Sequence, residues 1–179
     1  EQRLGQIYAV ARATHVFDEG DAQSLRFVAA YYTLVDSQLA INSYSQVTEF
    51  VDVGQAYLLK FGLLQTLQNQ LKALQELGDA VSVPVRMDRY PGVADLLMAR
   101  HMIAGHPMNG KVHGLAWRHF HDRGTVHDPM FLRVMSFATD DPTNWTGRTI
   151  VVADLLLDDA AAVADALSRI AEELGARAQ

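Results

Sequence analysis

Cysteine is absent from the 179 residues, which excludes disulfides and thiolate metal ligands. No apolar run approaches bilayer length, and no secretory-leader pattern opens the chain, so no membrane partner is expected and the expected setting is cytoplasmic. The first residue is Glu1 rather than Met, as trimming of N-terminal residues would leave it. A Gly-rich phosphate loop, a GxSxG elbow and a dinucleotide fingerprint are all missing, which leaves hydrolase and dinucleotide-enzyme readings without support and no cofactor expected. There is no internal repeat and no low-complexity segment. Net positive charge is lacking too: the formal balance is −6, which argues against a general nucleic-acid coat.

What is present is unevenly distributed. The segment from Arg100 to Arg133 carries five cations (Arg100, Lys111, Arg118, Arg123, Arg133) against Asp122 and Asp128, and six of the seven histidines. That is a net +3 locally and −9 for the remainder. An acidic body with a basic segment suits a local phosphate-binding patch, and it equally suits a solvated hairpin. Four of the histidines (His113, His119, His121, His127) fall within fifteen residues, but with no HExxH-like frame and no nearby Glu no metal is expected.

Periodicity predicts a mainly α chain forming one domain over residues 1–179. Its parts are a helical bundle over 1–107, a small antiparallel β-sheet appended over 108–154, and a C-terminal helix in 155–179. A first helix is expected from Gln2 to Phe17. Asp21 then caps a second, in which Leu25, Val28, Tyr32, Val35 and Leu39 alternate in threes and fours as a stripe, running to about Tyr44. A third is expected from Val53 to Leu77, ending before Gly78. Its apolar residues cover more than one face, as expected of a central helix or of one that also packs on a second subunit. Pro91 opens the fourth. Strands are expected at Leu115–Phe120, Phe131–Phe137 and Arg148–Ala153, and the last, fifth helix at Asp159–Leu174, closed by Gly175.

The run from Arg100 to Pro107 is the most informative. Arg100 falls in a stripe with Val93, Leu97 and Ala104, and a guanidinium on an apolar face requires a counter-charge or an anionic ligand. Gly105 and Pro107 end the helix and leave His106 on the turn. This run, Arg100, polar His101, and after five intervening residues His106, resembles the HEPN superfamily signature, and it is similar to a variant carrying Arg-Asn…Gly-His-Pro. The resemblance covers the helical portion, roughly residues 21–107. It implies a dimerising helical bundle whose members include metal-independent endoribonucleases of toxin–antitoxin and defence systems, and others that only bind nucleic acid.

Under that resemblance His106 is the base, Arg100 the phosphate clamp and His101 an assistant. Lys111, Arg118 and Arg123 are the phosphate-binding candidates, and the partners are a second subunit, RNA and an antitoxin-like protein. Six residues along an ideal helix turn through roughly 240°, so the chain must break at Gly105, or a second subunit must contribute, for Arg100 and His106 to converge. The structural alternative has both side chains capping carbonyls, or Arg100 paired with a carboxylate such as Asp36. The functional alternative is a non-catalytic helical dimer acting as a regulatory or protein-interaction module.

Overall fold

The computed structural model describes residues 2–13, 21–105, 110–112, 115–138, 141, 143 and 145–177. Five helices, α1 (Gln2–Ala13), α2 (Ala22–Ser45), α3 (Val53–Ala80), α4 (Pro91–Arg100) and α5 (Val152–Arg177), form the body. A π-helical turn, His101–Gly105, extends α4. Strands β1 (Gly110–Val112), β2 (Leu115–His121), β3 (Phe131–Ala138) and β4 (Trp145–Val151) follow as an antiparallel meander in chain order, between α4 and α5. No helix among the described residues is long and apolar enough to cross a membrane.

Local chemistry sets the helix starts. Asp21 accepts the Ser24 N–H at 2.6 Å and Asp52 accepts the Gln55 N–H at 2.8 Å, each satisfying an amide that the first turn leaves unpaired. Pro91 occupies the first turn of α4, where its missing N–H costs nothing. α3 is the central element: Leu63, Leu64, Leu67, Leu71, Leu74 and Leu77 are buried, against α2 on one side and α4 and α5 on others. The breadth of its apolar surface is thus used within the molecule, with Leu58 left exposed.

Several boundaries differ from expectation. α3 does not stop before Gly78 but continues to Ala80. Gly78 is needed for close approach, because a Cβ there would collide with the Val83 carbonyl and the Val85 side chain. The reversal comes at Ser82, whose φ of 56° lies in the left-handed region. α5 begins at Val152, seven residues before Asp159, and runs through Gly175. Asp159, the expected start, is instead buried inside the helix. A fourth strand, β1, is only three residues long and gives no readable alternation. β4 starts at Trp145, opposite Phe137, and so lies three residues ahead of its expected start.

Of the two apolar faces of α2, the fold encloses the less regular one. The regular stripe Leu25, Val28, Tyr32 and Leu39 faces outward, and the buried residues are Phe27, Ala30, Leu34, Ser37, Ile41 and Tyr44, with Val35 half-buried between the two sets. Both faces carry apolar residues, and the packing of Phe27 and Leu34 decided which was enclosed.

Candidate functional site

The site assembles where α3, the end of α4 and the sheet meet. In α4 the buried stripe is Val93, Leu96 and Ala99, continuing to Ile103, while Leu97 is exposed, so the expected placement of Leu97 on the core face is corrected. Ile103, in the π turn, follows Ala99 by four residues and so keeps to the same face by ordinary helical spacing. Arg100, next to Ala99, is half-buried. Its Nη2 donates to Gln65 Oε1 on α3 at 3.1 Å, and its Nε is enclosed with no acceptor. No carboxylate pairs with it among the described residues, so the expected Asp36 alternative is not what holds it; Gln65 is.

The other sequence candidates are dispersed. His101 opens the π turn and is exposed. His106, the proposed base, lies outside the described residues, as does His113. Lys111 stands opposite Ala116 in the β1–β2 ladder and Arg118 opposite Phe137 in the β2–β3 ladder, and nothing further is described of their side chains. β2 packs against the π turn, which brings the strand bearing Arg118 beside the segment that follows Arg100. Arg123 is exposed in a 3-10 turn beyond the far end of β2, so it is not grouped with Arg118.

Two buried groups, Lys60 and Tyr44, escaped sequence reasoning, and a third, His121, entered it only as one of the clustered histidines. Lys60, on α3, is fully buried; its Nζ donates to the Phe131 carbonyl at 2.8 Å and the Thr125 carbonyl at 3.2 Å, and sits 5.5 Å from the Phe50 ring centroid. Burial pulls its pKa down to about 8 against the opposing pull of Asp128. Tyr44, on α2, donates its hydroxyl to the Pro129 carbonyl at 3.0 Å, and burial, with Asp128, pushes it up to about 12. His121, at the end of β2, has Nδ1 3.1 Å from the Asp122 carbonyl and its ring edge against Tyr57. Burial and then the Lys60 charge depress its pKa, and Nε2 has no partner.

Together Tyr44 and Lys60 pin the 125–131 loop of the sheet onto the bundle. A signal for Lys60 exists in the sequence: Ala56, Lys60, Leu63, Leu64 and Leu67 share one helical face, the same pattern that singles out Arg100. Tyr44 and His121 carry no such signal, because their partners are carbonyls far away or adjacent in the chain.

Among the described residues no three histidine, aspartate or glutamate side chains converge as a metal set requires. Asp159, far along the sequence on α5, is a separate buried carboxyl: its Oδ1 has no partner and burial raises its pKa to about 7. Outward on β3 and β4, Arg133 lies 3.5 Å from Asp122, and Arg148 binds Asp95 of α4 at 2.8 Å. The Phe137 and Trp145 rings lie 5.4 Å apart between centroids, tilted by 35°. No family model matches the chain, and no curated protein or solved structure matches it either.

Proposed function

We propose that this chain is a HEPN-like RNA-binding protein, acting as a metal-independent endoribonuclease of toxin or defence type. The observation that carries the reading is Arg100. It is a half-buried guanidinium that, among the described residues, is held by the neutral amide of Gln65 and meets no carboxylate. A cation so placed is stabilised further by an anion, and phosphate accepts from its planar fork.

In the reaction, neutral His106 removes the proton from the ribose 2′-hydroxyl, whose oxygen attacks the adjacent phosphorus. Arg100 stabilises the charge that builds on the non-bridging oxygens. The bond to the 5′-oxygen breaks as that oxygen takes a proton from His101, leaving a cyclic phosphate and a free 5′-hydroxyl. DNA resists, because it lacks the nucleophile. Arg118, on the strand beside the π turn, and Lys111, on the neighbouring strand, hold flanking phosphates, while Arg123, on a separate turn, does not share that surface.

The test is cleavage of single-stranded RNA in excess chelator. Activity that survives chelator and falls at least ~100-fold in both Arg100→Ala and His106→Ala supports the enzyme. Absence of cleavage, or loss on chelation, overturns it. A second reading, a non-catalytic helical module that works through protein contacts, is favoured by the outward apolar residues of α2.

A further inference from the structure

A stripe that the sequence spaces with full regularity, yet the fold leaves in water, calls for a partner. On α2, Leu25 is 63 % exposed, Val28 38 %, Tyr32 61 % and Leu39 53 %. With half-buried Val35 they follow a strict three–four alternation, the a and d positions of successive heptads. The ridge runs for about 21 Å at 1.5 Å per residue and is only two residues wide per heptad. A helix fills such a narrow seam; a flat surface or a lipid boundary would favour a broader apolar face.

The order of side chains along the ridge identifies which helix. Leucine, valine, tyrosine, valine, leucine reads the same in both directions. An antiparallel copy therefore sets Leu25 against the other copy's leucine at position 39, each Val28 near a valine at position 35, and the two tyrosines at position 32 together on the axis. That is the self-complementarity a two-fold interface requires. Charge permits it as well. Of the positions flanking the ridge (Ser24, Ala29, Tyr31, Asp36, Gln38 and Ser43) only Asp36 is charged, and in this register it lies across from Val28 rather than from its own copy. Arg26, on the adjoining surface, is engaged by Glu76 of α3 at 2.8 Å. Tyr8 of α1, exposed and 5.5 Å from the Tyr31 ring, widens the apolar surface at one flank.

We propose that α2 pairs antiparallel with α2 of a second copy of this chain, about a two-fold axis at Tyr32. The pairing stands whether or not the protein cleaves RNA, and it moves the dimer surface from α3, whose apolar face is spent internally, to α2.

The absence of cysteine makes the geometry directly measurable. Sedimentation velocity over a micromolar concentration series is expected to give twice the monomer mass for the wild type. Leu25→Lys combined with Leu39→Lys places lysines opposite one another, and is expected to weaken self-association by at least ~100-fold. Both residues are exposed in the monomer, so an unchanged circular dichroism spectrum is expected. In a separate variant, Tyr32→Cys, a short bis-maleimide is expected to link two chains, while Leu58→Cys, an exposed apolar position on α3, stays unlinked. A wild type that remains monomeric, a dimer untouched by the double lysine variant, or cross-linking at position 58 in preference to 32 would each overturn the pairing.

Discussion

Lys60 and Arg100 raise the same physical question at the scale of a single residue, and the fold answers it differently. Both are cations on buried helical faces. Lys60 is enclosed and satisfied by two backbone carbonyls, so its role is to hold the loop between β2 and β3 against α3. Arg100 keeps an unsatisfied donor and a neutral partner. The enclosure of Lys60 has a measurable consequence. Its folded pKa, about 8, lies below its ordinary value of 10.5, so between those values the unfolded chain binds more protons than the folded one. Stability contributed at this site therefore rises as pH increases through 8 toward 10.5, and the cost is fully present below 8. Urea denaturation at pH 7.5 and 9.5 is expected to show the wild type gaining about 1–2 kcal/mol relative to Lys60→Met over that interval. His121, shifted below its ordinary 6.5, titrates under this window and does not contribute. Parallel pH dependence in the two proteins would show that the ammonium is not desolvated in the fold.

At the scale of elements, the sequence marks the starts of α2, α3 and α4, while the start of α5, at Val152, escapes it. Asp21, Asp52 and Pro91 act through neighbours three residues away or fewer, so their effect is visible locally. Helix ends and the choice of buried face depend on what packs there, which is tertiary information. α2 shows this best: Leu25, Val28, Tyr32 and Leu39 are the cleaner pattern, yet Phe27 and Leu34 are the ones enclosed. Gly78 shows it again, since a glycine near the end of a periodic run reads as a stop, and here it admits the Val83–Val85 segment against the helix. Gly78→Ala is accordingly expected to destabilise the protein by about 1–3 kcal/mol, although alanine is the better helix former. A urea midpoint equal to or above the wild-type value would mean that the returning segment yields freely. At the candidate site, the stripe through Leu97 that singles out Arg100 is turned outward by the fold; Arg100 is half-buried beside Ala99, and Gln65, its partner thirty-five residues earlier, carries no signal in the sequence.

At the scale of the whole molecule, the proposed RNA binding has to be reconciled with a net charge of −6. Electrostatic attraction has to come from the segment between Arg100 and Arg133, and the remainder of the chain repels a polyanion. Some of that segment's charge is already committed, since Arg133 lies near Asp122. Only a few phosphates can then be neutralised, so binding is expected to be modest and its salt dependence shallow. For His106→Ala, chosen so that RNA stays intact, fluorescence anisotropy of a single-stranded RNA is expected to give a linear fall of log affinity with log salt. Adding Arg118→Ala, or Lys111→Ala, is expected to reduce the steepness by roughly 0.7 for each phosphate that is no longer neutralised. An alanine at Arg26, which is tied to Glu76 between α2 and α3, is expected to leave the slope unchanged. A slope that responds equally to Arg26 and Arg118 would mean that attraction is spread over the whole surface, and the basic segment would lose its standing as the RNA-facing part of the molecule.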